Sequence, residues 1–214
     1  MSIRRYEPSD ADIGWMRRAA DLARHCVREA RPDRMPPPPV GVVAVRDGAE
    51  LAAAYRGETG PGDHAEFGII TKLGGEGSGA LAGATIYTTL EPCTERTERN
   101  TPCATRLIDE GVSRVFIGAY DPNPLVRRLG WRRMHDAGIE LCDFTPEIRH
   151  ELLELLAGFR QIYTHGQPDR NHATLDYNRE DGHFLTRPPA EPPSRRSGVV
   201  AALTPSTPED RLAT

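Results

Sequence analysis

Four residues of this chain have the types and the order that zinc chemistry requires. His64 and Glu66 stand in the triplet His-Ala-Glu, and Cys93 and Cys103 follow further along the chain. One imidazole and two thiolates are three zinc ligands, and no fourth Cys or His stands at ligand spacing. Structural zinc sites close the fourth position with a protein ligand, whereas catalytic sites leave it open for water. The pattern therefore predicts a catalytic zinc ion on His64, Cys93 and Cys103.

Glu66 is predicted to carry protons beside that ion. Residues two apart on a helix point to nearly opposite sides, so His64 and Glu66 can address one ion only if it lies off the amino end of their helix. Cys103 also follows a proline at a predicted helix start, where the helix dipole favours thiolate over thiol. Zinc would activate water to attack a ring carbon that bears an amino group. Glu66 would take the proton of that water, protonate the ring nitrogen and later help the leaving nitrogen depart as ammonia. The predicted reaction is hydrolytic deamination of an amino-substituted heterocycle.

The composition narrows the class of protein. The chain has 214 residues, a formal net charge of -4 and an isoelectric point near 6.0, so it has no general basic field for nucleic acid. It contains no apolar stretch of transmembrane length and no apolar signal core at the amino terminus. We therefore expect a soluble, cytoplasmic protein. Cys26 and Cys142 stand in apolar segments and are expected to be small buried residues rather than disulfide partners.

The apolar periodicity and the turn residues predict an alternating series of elements. Helices are expected over 9–30, 64–73, 102–110, 125–137 and 146–165, and strands over 40–45, 51–55, 84–90, 114–119 and 139–144. Because strand and helix alternate from Ala84 onward, the later strands should be parallel in a layered α/β domain. Residues 1–165 form this predicted domain. Residues 166–214 are rich in proline and arginine and are predicted to be a weakly structured tail.

Several motifs together resemble the zinc-dependent cytidine deaminase-like superfamily. The resemblance is strongest to the pyrimidine deaminase domain of the bacterial bifunctional riboflavin-biosynthesis enzyme, and it covers about residues 36–145. The long gap between Cys93 and Cys103 is shared with that branch, and the Cys-x-x-Cys of other branches is absent. The shared segments are 39–43 (PVGVV), 64–66 (HAE), 88–93 (TTLEPC), 101–104 (TPCA), 111–115 (GVSRV), 121–126 (DPNPLV) and 137–140 (AGIE).

The resemblance implies a three-layer α-β-α sandwich around a mixed five-stranded sheet. It also implies zinc on His64, Cys93 and Cys103, with Glu66 as the proton shuttle. Members of the superfamily often form dimers or tetramers, so a homodimer or higher homo-oligomer is expected. The riboflavin branch joins this domain to a reductase domain, for which 214 residues leave no room. We therefore expect a stand-alone deaminase of specialised or nucleotide metabolism.

Two places differ from that branch and concern the substrate. Pro37 stands where the branch usually carries asparagine, and the loop over 94–100 replaces a Ser-His-x-Gly-like segment. In this loop Arg96 and Arg99 have the guanidinium geometry that suits a substrate phosphate. The alternative is that Glu95 and Glu98 pair with them in an ordinary solvated loop.

Two further residues have open roles. Asn123 follows a parallel strand at the end where α/β sheets bind ligands, so it is a candidate substrate residue; the alternative is a turn-forming Asx residue. Asp63 either orients His64 from behind or caps the helix that follows.

The leading hypothesis is a zinc-dependent deaminase of a small aminopyrimidine-type nucleobase, nucleoside or nucleotide. A polynucleotide deaminase is the second enzyme hypothesis, but only 6% of the residues are aromatic and no basic cluster is expected in the domain core. A non-catalytic binding module stabilised by zinc is the alternative from another class. A fourth protein ligand on the zinc would favour that module.

Overall fold

The computed structural model describes residues 6–27, 29, 36–94, 101–123, 126–165, 175–177 and 184–186. The chain divides into two compact units, Met1–His172 and Ala173–Thr214. The described elements are α1 (Asp10–Ala23), β1 (Gly41–Arg46), β2 (Ala49–Tyr55), α2 (Ala65–Lys72), β3 (Thr85–Leu90), α3 (Cys103–Asp109), β4 (Arg114–Ala119), α4 (Leu129–Asp136), β5 (Glu140–Asp143), α5 (Pro146–Leu155), α6 (Ala157–His165), β6 (Leu175–Tyr177) and β7 (Phe184–Thr186).

A mixed five-stranded sheet forms the centre of the first unit. Its strand order is β2-β1-β3-β4-β5. Strand β1 pairs antiparallel with β2 and β3, whereas β3, β4 and β5 are parallel to one another. The turn between β1 and β2 consists of Asp47 and Gly48, both with positive φ, as expected for a tight hairpin. The predicted mixed five-stranded sheet with parallel later strands is therefore confirmed.

Helices cover both faces of this sheet, because alternate residues of each strand are apolar on opposite sides. On one face, α1 and α5 pack against Val43, Tyr87 and Phe116. On the other face, residues of α2, α3, α4 and α6 pack against Val42, Ile86 and Ile117. The two faces give the three-layer α-β-α arrangement that the motifs implied. The starts of α2 and α3, which carry His64 and Cys103, lie on this second face of the sheet.

Helix α1 is shorter than the helix predicted over 9–30. Its amino end is as expected, with Ser9 as the N-cap and Asp12 completing a capping box. Its last residue is Ala23. The amides of Arg24, His25 and Cys26 close the last turn of the helix, and the chain then bonds to other parts of the fold. The Cys26 sulfur accepts a hydrogen bond from the Val40 amide at 3.0 Å, and the Val27 amide donates to the Arg56 carbonyl at 3.2 Å.

Two later helices also differ from their predictions. Helix α4 begins at Leu129 rather than near residue 125, because Arg128 takes a left-handed conformation with φ 62° that helical residues do not adopt. The helix predicted over 146–165 consists of α5 and α6, which meet at Leu156. None of the described helices combines the length and apolarity that crossing a membrane requires.

The second unit contains one described feature, an antiparallel pair of short strands. Leu175 pairs with Thr186, and Tyr177 pairs with Phe184. The predicted weakly structured tail over 166–214 otherwise lies outside the described residues and stays a prediction.

A close helix–sheet approach at Gly41 predicts a large cost for any side chain there. A Cβ at Gly41 would lie 2.1 Å from the Ala19 carbonyl oxygen in α1. We expect Gly41→Ala to lower the free energy of unfolding by about 1–3 kcal/mol. Gly14 lies exposed in α1, and a Cβ added there would meet no atom of another element within 4 Å. Gly14→Ala should therefore raise stability by about 0.5–1 kcal/mol. Urea unfolding of both variants measures the difference, and equal midpoints would contradict this packing.

Candidate active site

The predicted zinc ligands come from two helix starts and one strand-following loop. His64 is the N-cap residue of α2, and Cys103 is the first residue of α3. Cys93 lies in the loop that follows β3, three residues after Leu90. The amino ends of two helices therefore supply one ligand each, where unpaired amides carry partial positive charge.

The three ligand atoms are close enough to share one ion. His64 Nδ1 lies 3.4 Å from Cys103 Sγ and 3.7 Å from Cys93 Sγ. All three ligand atoms lie within 4.8 Å of one another. Ligands at ordinary Zn–N and Zn–S distances in a tetrahedron stand about 3.4–3.8 Å apart. The donor set and its spacing therefore suit zinc.

Cys93 is held in the state that a metal needs. Its sulfur accepts a hydrogen bond from the Cys103 amide at 3.4 Å, and its carbonyl accepts one from the Ala104 amide at 3.1 Å. Hydrogen bonding from the Cys103 thiol, together with His64, lowers the pKa of Cys93 to about 4 although burial opposes ionisation. These contacts favour the Cys93 thiolate, the form that binds zinc. By contrast, burial raises the pKa of Cys26, and raises that of Cys142 to about 12. Both are half-buried free thiols, in line with their predicted packing role.

Glu66 lies beside these ligands in the first turn of α2. Its side chain is buried, with 3% of the residue exposed. Burial raises the pKa of Glu66, and the electrostatic effect of the neighbouring His64 opposes that rise. The Glu66 carboxylate lies within hydrogen-bond reach of the Cys103 side chain. A buried carboxylate at the edge of the ligand group is placed to exchange protons with a molecule bound there.

Thr88 is a site residue that the motifs alone did not identify. Its hydroxyl lies 3.3 Å from Glu66 Oε1 and 2.9 Å from the Leu90 carbonyl oxygen. It is fully buried in β3. The signal for Thr88 was present in the sequence, since strand alternation from Ile86 places it on the face that carries α2. Its neighbour Thr89 points to other partners and accepts a hydrogen bond from the Gly41 amide.

The structure bears on the alternative roles predicted for Asp63 and for Asn123. His64, not Asp63, is the N-cap of α2, and the Asp63 carboxylate accepts a hydrogen bond from Thr59 Oγ1 at 2.9 Å. The capping role of Asp63 is therefore wrong. In the stretch 121–123, the Asp121 carboxylate accepts a hydrogen bond from the Asn123 amide at 2.8 Å, so Asp121 is an Asx residue of this stretch. A substrate contact of Asn123 stays a prediction. Arg96 and Arg99 lie outside the described residues.

The expectation of no basic cluster in the domain core is wrong. Arginines stand at 127, 128, 132 and 133, around the start of α4. The Arg128 guanidinium lies 4.2 Å from the centre of the Tyr120 ring. An open surface cavity of about 370 Å³ beside this helix is lined by Thr94, Leu129, Arg132, Arg133 and Asp136. The cluster is local, since the whole chain has a net charge of -4.

Comparison with known proteins shows which protein family this chain belongs to. The family described as "Cytidine and deoxycytidylate deaminase zinc-binding region" matches residues 11–119. These residues hold the whole ligand group and Glu66, and the chain therefore belongs to this family of deaminases. The predicted enzyme class, a hydrolytic deaminase, and its predicted zinc cofactor are confirmed by that membership.

Within the family, the chain is similar to riboflavin-biosynthesis proteins. It is 39% identical over 132 residues to the riboflavin biosynthesis protein RibD of Actinobacillus pleuropneumoniae, covering 62% of this chain and 32% of that protein. The structure of Acinetobacter baumannii RibD superposes with a TM-score of 0.61 and 33% identity, covering 74% of this chain and 41% of that one. The third similar structure has a TM-score of 0.56 and 32% identity, and the match covers 71% of this chain and 40% of that one. It is a Thermotoga maritima diaminohydroxyphosphoribosylaminopyrimidine deaminase/5-amino-6-(5-phosphoribosylamino)uracil reductase. The chain spans less than half the length of these relatives. The predicted resemblance to the pyrimidine deaminase domain is confirmed.

Proposed function

We propose that this protein hydrolytically deaminates a small aminopyrimidine-type nucleobase, nucleoside or nucleotide and releases ammonia. His64, Cys93 and Cys103 hold zinc, and Glu66 carries the protons. One observation carries this proposal: three zinc-type ligand atoms lie within 4.8 Å of one another, beside a buried carboxylate on the same helix end. Among the described residues the ligand group has three members, which favours an open catalytic site over a closed structural one.

Each residue has a separate task in this reaction. Zinc, when bound, supplies Lewis acidity that makes a water molecule nucleophilic at neutral pH. His64, Cys93 and Cys103 would hold the ion at the amino ends of α2 and α3. Glu66 accepts one proton of the attacking water on a carboxylate oxygen and donates it to the ring nitrogen. It then accepts the remaining proton of the added hydroxyl group and donates that proton to the amine, which departs as ammonia. The burial of Glu66 keeps bulk water away from this proton path.

The substrate class is supported by the relatives. The Thermotoga maritima relative is named for a phosphoribosylated aminopyrimidine, and the family is named for cytidine and deoxycytidylate. All three compounds carry an amino group on a pyrimidine ring carbon next to a ring nitrogen, which the Glu66 chemistry requires. The predicted substrate contacts of Asn123, Arg96 and Arg99, the homo-oligomeric state and the cytoplasmic location stay predictions.

A substrate screen tests the proposal. Ammonia release is measured with zinc-loaded protein on cytosine, cytidine, deoxycytidylate, a diaminohydroxyphosphoribosylaminopyrimidine, pterins, aminopurines and a single-stranded cytosine-containing oligonucleotide. We expect turnover of a small aminopyrimidine and one zinc per chain. If the protein deaminated only the oligonucleotide, it would be a polynucleotide deaminase and the proposal would be wrong. A zinc with four protein ligands in X-ray absorption spectra, together with no turnover, would favour the binding module.

The hydrogen bond from Thr88 is expected to orient the Glu66 carboxylate. Thr88→Val keeps the shape of the side chain but removes the hydroxyl that lies 3.3 Å from Glu66 Oε1. A hydrogen bond to a charged group contributes about 1.5–3 kcal/mol, so we expect kcat to fall roughly tenfold or more. Zinc content should not change, because no ligand is altered. Steady-state kinetics with a substrate from the screen, together with metal analysis, measure both quantities.

Two variants act as controls for Thr88. Thr88→Ser keeps the hydroxyl and should retain most of the activity. Thr89→Val removes a buried hydroxyl of the same strand that serves the Gly41 amide rather than Glu66. If Thr89→Val lowered kcat as much as Thr88→Val, the loss would reflect a weakened strand, and the orienting role of Thr88 would be wrong.

A further inference from the structure

Glu91 is a buried carboxylate in the zinc motif that the proposed chemistry does not use. It follows the last residue of β3 and stands two residues before Cys93. Only 4% of its surface is exposed. A buried carboxylate is costly unless hydrogen bonds compensate for its lost hydration. Its partners therefore indicate why it is there.

Those partners are backbone amides of one segment far along the chain. Glu91 Oε2 accepts hydrogen bonds from the amides of Arg128 at 2.9 Å and Asp121 at 3.3 Å. Glu91 Oε1 accepts from the Trp131 amide at 3.1 Å. Both oxygens are thus occupied by donors from the segment 121–131, which the structure describes over 121–123, after β4, and over 126–131, into α4. One side chain therefore accepts hydrogen bonds from both described parts of this segment.

Glu91 also caps the amino end of α4, a task that the side chain of the N-cap residue does not perform. The N-cap residue of α4 is Arg128, whose side chain makes no capping hydrogen bond. The first amides of a helix need an acceptor and favour negative charge. Glu91 meets both needs from outside the helix, through the Arg128 and Trp131 amides.

The start of α4 lies in direct contact with the loop that leads to Cys93. A Cβ at Gly130 would stand 2.1 Å from the Pro92 carbonyl oxygen and 3.3 Å from Glu91 Oε1. Only glycine allows this approach. The segment 121–131, which includes Asn123, is therefore held against the metal-ligand loop by one carboxylate and one close backbone contact.

We propose that Glu91 is a positioning residue that holds the segment 121–131 beside the zinc loop and thereby sets substrate binding. The proposal rests on the deaminase function for its kinetic consequence but not for its structural one. Glu91 does not touch the reacting atoms. It acts through the loop that carries Asn123 and through the start of α4.

Glu91→Gln tests this role with little change in shape. The amide group replaces one acceptor oxygen with a donor, which then faces a backbone N–H. We expect amide hydrogen exchange in peptides covering 120–131 to become about tenfold faster or more. Zinc content should remain at the wild-type value. With a substrate from the screen, KM should rise roughly tenfold while kcat changes less than about threefold.

Glu110→Gln is the matched control. Glu110 is also a buried carboxylate, exposed by 4%, and it accepts a hydrogen bond from the Gly77 amide at the end of α3 opposite to Cys103. It should leave exchange over 120–131 and KM unchanged. Unchanged exchange over 120–131 in Glu91→Gln, or faster exchange spread equally over the whole domain, would overturn the proposal. So would a loss of kcat at constant KM. If the wild type deaminates nothing in the screen, the function is wrong, yet the exchange comparison still decides the role of Glu91.

Discussion

Replacing Glu66 with glutamine is expected to reduce ammonia release by roughly 10²- to 10⁴-fold while the protein keeps its zinc. Glutamine has nearly the same shape as glutamate, and the metal ligands are left intact. It cannot accept and return a proton, which is the task assigned to Glu66. The loss should therefore appear in kcat rather than in zinc content or substrate affinity.

Stability distinguishes this loss from misfolding. Glu66 is 3% exposed, and its burial raises the pKa of the carboxyl. A neutral amide costs less to bury than a carboxylate, so Glu66→Gln should unfold at the same temperature as the wild type or at a higher one. Kinetics, metal analysis and calorimetry on one preparation make the comparison. If the variant keeps full activity toward the substrate, Glu66 does not carry the protons and the mechanism is wrong.

Replacing Cys103 with alanine should remove the zinc. Cys103 is fully buried, and its sulfur lies 3.4 Å from His64 Nδ1. Two ligands cannot hold zinc as three do, so bound zinc should fall from one per chain to about a tenth of that or less. Because metal binding contributes to folding free energy, the melting temperature should fall as well, and a chelator should lower that of the wild type. Activity should be lost with the metal.

Cys142→Ala is the control for this experiment. Cys142 is a half-buried cysteine whose pKa is raised to about 12, so it stays a thiol at neutral pH. It packs against the core under α1 and α5, on the face of the sheet opposite to the ligands. Its replacement should leave one zinc per chain. Stoichiometric zinc in Cys103→Ala would show that Cys103 is not a ligand.

The fold was predictable where local pattern and tertiary packing agree. The run over Arg114–Ala119 is β4 with the predicted bounds, because a short β-branched and aromatic run between turn residues suits only a buried strand. The predictions failed at helix ends. Val27 continues the apolar period of α1, yet its amide bonds to the Arg56 carbonyl instead of continuing the helix. Contacts with residues far along the chain decide where such a helix ends, and the apolar period of the sequence contains no information about those contacts.

By itself, the sequence predicted the zinc ligands, the proton carrier and the class of reaction. His64, Glu66, Cys93 and Cys103 are recognisable because zinc chemistry demands particular atoms, and those atoms belong to few residue types. The tertiary structure alone decided which ordinary residues support them. Thr88 and Glu91 stand in the same motif as Cys93, but their roles depend on Glu66 and on the amides of Asp121, Arg128 and Trp131. Backbone amides carry no signature in the sequence, so only folding shows which carboxylate they hold.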